Sequence, residues 1–234
     1  MLKYEQIAQQ INTLIESSNY QPGDKLPSVT AFKDMYDVSK STVVKALTLL
    51  EQDGRIYQAQ GSGIFVRNSK SSDYINVFKT NGFSSHLAEH HMTSDVIKLE
   101  LVTEVPKSVM QALKLGPGEQ VYYLERVRYM NGLILCIEYS YFNKRIVKYL
   151  NQELAEGSIF NYLQNDLQIR LGFSDIYFNV DQLDEREADL LQLKAGAPCL
   201  RYHQTFYTST GQPFDVSDIT FHYQHAHFYI PSKK

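Results

Sequence analysis

Two groups of residues in this 234-residue chain have types and spacings that could do chemistry. The first is Ser39-Lys40-Ser41-Thr42 with Lys45. Ser39 is a natural N-cap, and Val43, Val44, Ala46, Leu47 and Leu50 supply an apolar face at helical spacing. The pattern predicts a helix whose first turns carry two cations and several hydroxyls. Such short donors and cations can meet the base edges and phosphates of a duplex. An ordinary amphipathic helix with a solvated cationic face fits the same residues.

The second group is Arg126, Arg128 and Glu138. Alternation puts Leu124, Arg126 and Arg128 on one face of a strand. The turn at Asn131-Gly132 decides where Glu138 falls. A two-residue Asn131-Gly132 loop would send Glu138 to the opposite face. A three-residue Met130-Asn131-Gly132 loop, with Gly132 left-handed in a bulge, shifts the register by one and brings Glu138 and Cys136 to the arginines. We expect the three-residue loop. Two guanidiniums and one carboxylate on a shared sheet face would suit a phosphorylated sugar: the arginines hold phosphate and the carboxylate accepts sugar hydroxyls. A surface salt-bridge ladder has the same spacing. Gly157-Ser158 ahead of Ile159-Phe160 adds a helix start, where an anion is favoured, although Ser158 could simply be an N-cap.

The elements that must position these groups follow from periodicity and turn residues. Tyr4 to Ser17 has Ile7, Ala8, Ile11, Leu14 and Ile15 on one helical face. Gln21-Pro22-Gly23-Asp24 is a turn. Ser28 is the expected N-cap of a short second helix that buries Phe32 and Met35. The helix after Ser39 stops at Asp53-Gly54. Residues 56–60 and 63–66 are short strands joined through Gly61-Ser62. Three helices and a glycine-tipped hairpin make a winged helix, and glycine at the tip lets a DNA backbone approach.

Residues 69–77 read as a polar linker. Beyond them, strands are expected over residues 95–105, 121–129, 133–141, 176–180, 200–208 and 214–223. Helices are expected over residues 107–115, 143–150, 159–165 and 185–192. Residues 115–129 align with residues 193–207 at a constant offset of 78. A duplicated unit predicts two related hairpins packed in one sheet, each preceded by a helix. Arg126 and Arg128 correspond to Gln204 and Phe206, so the arginine pair belongs to one copy.

Composition sets bounds. The hydrophobic fraction of 43% allows a sizeable core, with Tyr (17) and Phe (12) in place of Trp. No apolar run approaches the roughly 18 residues of a membrane span, and the N-terminus lacks a signal pattern. Cys136 and Cys199 form no metal pattern and read as reduced packing residues of a cytoplasmic protein. The net charge of −3 argues against a uniformly basic coat. Residues 1–70 hold 8 Lys/Arg against 7 Asp/Glu, and the remainder 15 against 19. Binding to nucleic acid would need the cations on one face, and a homodimer to double the phosphate contacts.

The stretches PGDKLPS (22–28), VSKSTVVKALTLLEQDG (38–54) and GSGIFV (61–66) resemble the DNA-binding domain of the GntR family of bacterial repressors. The resemblance implies contacts to operator DNA from Thr30, Ser39, Lys40, Ser41, Thr42, Lys45 and Gly61. Lysine stands at 40 and 45 where the family often has arginine, exchanging bidentate guanine readout for a point charge. ERVRYMNG (125–132), EYSYFN (138–143), GSIFNYL (157–163) and GQPFDVSDITFHY (211–223), in that order, resemble the UTRA ligand-sensing domain of the family's HutC branch. This implies effector contacts from Ser84, Arg126, Arg128, Glu138, Ser158, Phe160 and Asp215. The implied fold is α+β: a winged helix-turn-helix, then a mostly antiparallel sheet with flanking helices, similar to chorismate lyase. The expected division is 1–68 for the winged helix, 69–77 for the linker and 78–234 for the effector-binding and dimerisation domain.

His222, His225 and His227 invite a metal, but no Cys or spaced acid completes a set. A lyase-like enzyme is the alternative the fold resemblance raises, yet no nucleophile–base pair is visible. A ligand-free dimerisation module is the third. The expectation is a non-enzymatic repressor without cofactor or metal, bound to double-stranded operator DNA and released by a small anionic effector.

Overall fold

Two serines open the helices that matter most in the first unit. The computed structural model describes residues 2–67, 74–76 and 91–231, and the chain divides into two units. In the first, α1 (Lys3–Ser17), α2 (Val29–Tyr36) and α3 (Lys40–Gln52) surround a core of Ile7, Ile11, Phe32, Val43, Ala46, Leu47 and Leu50. Ser28 Oγ accepts from the Ala31 amide at 3.1 Å, and Ser39 Oγ accepts from the Thr42 amide at 3.1 Å. Each satisfies an amide that lacks a partner within its own helix. β1 (Ile56–Ala59) and β2 (Gly63–Val66) form the antiparallel wing.

Two core expectations fail. Val44 is 43% exposed, because the buried stripe of α3 runs through 43, 46, 47 and 50 and Val44 sits about 100° off it. Met35 is 54% exposed, because α2 packs Val29, Phe32 and Tyr36 and leaves Met35 on the margin.

The second unit is a six-stranded antiparallel sheet. Its elements are β4 (Met92–Val102), α4 (Lys107–Ala112), β5 (Val121–Met130), β6 (Leu133–Asn143), α5 (Gln152–Glu156), α6 (Ile159–Asn165), β7 (Leu171–Gln182), α7 (Glu185–Leu191), β8 (Pro198–Thr208) and β9 (Pro213–His222). Strand order β4-β5-β6-β9-β8-β7 reads the same from either edge when the two copies of strand–helix–hairpin are exchanged. The internal repeat reaches the backbone: Lys114 (φ 54°) and Gln192 (φ 56°) are both left-handed, as are Gly118 (φ 74°) and Gly196 (φ 78°).

α5 and α6 lie between the copies and cover one sheet face with Ala155, Ile159 and Leu163 against Leu124, Phe142, Phe206 and Phe214. The other face is covered by Val109 and Leu113 of the α4 segment and by Ala188 and Leu191 of α7. The helix expected over 143–150 is absent: β6 runs to Asn143, and a turn over 144–146 leads into irregular chain up to 150. The Asn143 carbonyl accepts from the Ile146 and Val147 amides, and its Oδ1 from the Arg145 amide, so Asn143 itself closes the chain back. α5, capped by Asn151, was not anticipated. Cys136 and Cys199 are buried free thiols, and burial pushes Cys136 up to about 12. Among the described residues no helix is long and apolar enough to cross a membrane.

Beyond β9 the chain rejoins the first unit. There β10 (Phe228–Tyr229) pairs in parallel with β3 (Ile75–Asn76).

Candidate functional site

The hairpin turn places the central cluster, and not by the expected route. Met130 pairs with Leu133, leaving a two-residue loop in which Asn131 (φ 51°) and Gly132 (φ 82°) are both left-handed. Asn-Gly satisfies a type I′ turn without a third loop residue, so the three-residue loop is corrected. The register shift is nevertheless present. Arg128 pairs with Cys136 while Tyr129 pairs with Ile134, so Leu135 is the extra residue of a bulge inside β6. Beyond it Arg126 stands directly opposite Glu138.

Arg126, Arg128, Glu138 and Asp215 are buried together, 3%, 3%, 5% and 1% exposed. A surface salt-bridge ladder is thereby excluded. Arg126 Nε donates to Glu138 Oε2 at 3.2 Å, and Nη2 reaches both carboxylate oxygens at 3.0 Å. Arg126 Nη1 donates to the Ala155 carbonyl at 2.6 Å and the Gly157 carbonyl at 3.4 Å. Arg128 Nη1 donates to Glu138 Oε2 at 3.3 Å. Burial works against the Glu138 charge, but Arg126 and Arg128 outweigh it and hold the carboxyl below its usual range. Burial also lowers the Arg126 guanidinium, with Glu138 opposing; a guanidinium stays charged throughout.

Two serines that the sequence reading missed complete the cluster. Ser140 Oγ lies 3.0 Å from Glu138 Oε1 and 2.8 Å from Ser217 Oγ, which lies 2.8 Å from Asp215 Oδ1. The signal was present as acid-x-Ser in both strands, with Ser140 and Ser217 in register. Counting protons along this line is informative. Two hydroxyls supply two protons for three contacts, so an ionised Asp215 leaves one contact without a hydrogen. With Ser217 Oγ donating to Asp215 Oδ1 and Ser140 Oγ to Glu138 Oε1, the Ser140–Ser217 contact lacks a hydrogen unless a carboxyl in the line holds a proton. Burial raises Asp215 well above the usual carboxylate range, against the lowering effect of the Ser217 hydrogen bond. The buried cluster holds two guanidiniums and two carboxyl groups.

Ser158 Oγ accepts from the Asn161 amide at 3.4 Å as the cap of the seven-residue α6, next to the Gly157 carbonyl that meets Arg126. Phe160 packs on Phe206 (4.5 Å between centroids) and Phe214 (6.2 Å), beside Asp215. Ser84 lies outside the described residues. Gln204, the repeat partner of Arg126, donates to Ser174 at 3.1 Å.

In the first unit Thr30, Ser39, Lys40, Ser41, Lys45 and Gly61 are exposed and Thr42 is half-buried. Ser39 Oγ also meets Ser41 Oγ at 2.9 Å and Thr42 Oγ1 at 2.8 Å, so the three hydroxyls hold one another at the start of α3. Val44 joins the exposed face between Lys40, Ser41 and Lys45, an apolar contact that the periodicity had assigned to the core. Among the described residues no three His, Cys, Asp or Glu side chains are placed to hold a metal ion. His222 and His225 instead stack at 3.8 Å, with His225 Nδ1 2.8 Å from the Ile134 carbonyl.

Residues 3–66 match the model of bacterial regulatory proteins, gntR family, and residues 88–227 match the UTRA domain. The HTH-type transcriptional regulator YydK of Bacillus subtilis is 45% identical over 230 residues, 98% of this chain and 97% of the relative. Its crystal structure superposes with a TM-score of 0.85 at 44% identity, covering 100% of both chains. The crystal structure of gene product SA0254 from Staphylococcus aureus matches with a TM-score of 0.66 at 61% identity, over 68% of this chain and 99% of that one. The mannosyl-D-glycerate transport/metabolism system repressor MngR of Escherichia coli is 24% identical over 220 residues, 93% of this chain and 90% of the relative.

Proposed function

The chain belongs to the GntR family of bacterial regulatory proteins, in its UTRA-bearing HutC branch, and we propose that it is a homodimeric repressor released from its operator by a phosphorylated sugar. It is a transcriptional regulator and not an enzyme. Two winged helices bind half-sites of a palindrome in successive major grooves. The near-neutral charge of residues 1–70 favours two copies, which double the phosphate contacts.

The observation that carries the effector reading is the burial of two guanidiniums, Arg126 and Arg128, on one carboxylate, Glu138, with Asp215 close by. Paired guanidiniums in a low-dielectric site suit an anion. The donors of Arg126 are shared between Glu138 and the carbonyls of Ala155 and Gly157. An arriving phosphate takes up those donors, and Glu138 and Asp215 then meet sugar hydroxyls. The relative MngR is named as the repressor of a mannosyl-D-glycerate transport/metabolism system, and mannosyl-D-glycerate is a glycosylated acid. Coupling of about 2 kcal/mol between the two sites would change operator affinity roughly thirtyfold.

The test is a thermal-shift screen of hexose and disaccharide 6-phosphates, followed by gel shifts with a duplex that the protein selects from a random pool. One compound should raise the melting temperature and release the duplex, and should be recovered unchanged. No shift with any sugar phosphate would refute the effector class.

A further inference from the structure

The chain enters the DNA-reading unit twice, and its second entry ends on the turn behind the recognition helix. The run from Pro213 to Tyr229 begins as β9, which carries Asp215 and Ser217, and finishes as β10, paired with β3. Tyr229 of β10 lies against Gly54, the left-handed residue (φ 71°) that joins α3 to the wing. A Cβ on Gly54 would come within 2.8 Å of Tyr229 Cε1 and 3.0 Å of its hydroxyl oxygen. Arg67, at the end of the wing, places its guanidinium 5.8 Å from the same ring centroid. One ring therefore spans the root of α3 and the exit of β2. Its hydroxyl is buried and has no hydrogen-bond partner among the described residues, so the ring is held by shape.

We propose that Tyr229 is a positioning residue for DNA reading: its ring, seated on Gly54 and under Arg67, fixes the angle between α3 and the wing. The geometry needs a glycine at 54 twice over, for its left-handed φ and for the space that the ring fills. The same stretch of chain carries Asp215 and Ser217 in β9, which ends at His222, before it enters the first unit as β10. This inference rests on α3 reading DNA and is independent of which effector binds.

The experiment uses the full chain and a duplex selected from a random pool by the unaltered protein, beside a scrambled duplex of equal length. Tyr229→Ala should weaken binding to the selected duplex about tenfold or more, since misaimed base contacts cost as much as a mismatch. Binding to the scrambled duplex should change less than roughly twofold, since phosphate attraction survives a change of angle. Hydrogen exchange at residues 53–57 should quicken. Tyr229→Phe should stay within about twofold of the unaltered protein on both duplexes, because the hydroxyl makes no bond to lose. Where Tyr229→Ala does not fold, Tyr229→Leu, which keeps apolar bulk without a flat ring, is read in its place with the same expectations. Equal losses on both duplexes, or unchanged selected-duplex affinity with unchanged exchange, would overturn the proposal.

Discussion

Glu138 stands opposite Arg126 because Leu135 adds one residue to β6 between the turn and the carboxylate. The bulge converts a turn that would have separated the two charges into a pair with three N–O contacts between 3.0 and 3.2 Å.

Glu138→Gln should therefore be costly. It leaves two buried guanidiniums facing a neutral amide, and breaking a buried pair costs about 3–5 kcal/mol. Urea denaturation at pH 7 should show a loss of that order. The pH dependence has a definite sign. Glu138 has a lowered folded pKa, so its contribution is complete above the unfolded carboxyl value, about 4.3, and is lost as pH falls through the folded value. The difference between wild type and variant should be flat from about pH 5 to 8 and shrink in acid.

Asp215→Asn should act in the opposite sense. Asp215 has a raised folded pKa, so the native state binds a proton that the unfolded state releases. Its stabilisation is complete below the unfolded value, about 3.9, and is lost as pH rises toward the folded value. Stability of the wild type relative to Asp215→Asn should fall as pH rises from about 4 toward the folded value. His222, whose pKa burial lowers, contributes the same slope to both proteins and cancels. Denaturation curves at pH 5 and 8 decide it; a pH-independent difference would mean that Asp215 is ionised and that the serine line is short of a proton.

The elements were legible where one local rule decided them. Ser28 and Ser39 cap as their types require, and the 78-residue repeat anticipated the two hairpins whose backbones share left-handed residues at equivalent places. The joining of Arg126 to Glu138 was legible in outcome but not in cause. Asn131-Gly132 identified a tight turn, while nothing local marked Leu135, buried like its apolar neighbours, as a bulge. Ser140 and Ser217 were passed over because a serine in a strand has no pattern of its own. They acquire meaning when β6 and β9 bring two acid-x-Ser pairs into register. Val44 and Met35 show the limit of periodicity, which gives the direction of a stripe more reliably than its width.

Arg126→Ala should separate sensing from DNA binding. The substitution removes the tie from β5 to the carbonyls of Ala155 and Gly157 and leaves Glu138 with Arg128. Gel shifts without effector should stay within about threefold of wild type, since the altered residue lies in the other unit. The sugar phosphate that releases the wild type should fail to release the variant at concentrations about a hundredfold higher, as expected for losing one charge-assisted anion contact of about 2–3 kcal/mol. Normal release of the variant would place the anion site elsewhere.

Lys45→Ala tests what the exposed face of α3 reads. Lys45 is exposed and lies past the hydroxyl group at Ser39, Ser41 and Thr42, with Val44 beside it. An ammonium on a flexible stem is suited to phosphate, whereas an apolar Val44 can meet a thymine methyl. In a dimer Lys45→Ala deletes two phosphate contacts, so the slope of log affinity against log salt should become shallower by about 1.8. The loss should be nearly uniform across operator variants. Val44→Ser should leave the salt slope unchanged and relax preference at a thymine position by about 1 kcal/mol. Should Lys45→Ala instead alter base preference and spare the salt slope, the lysine reads a guanine edge, and the exchange of arginine for lysine on this helix has changed the operator code without abolishing it.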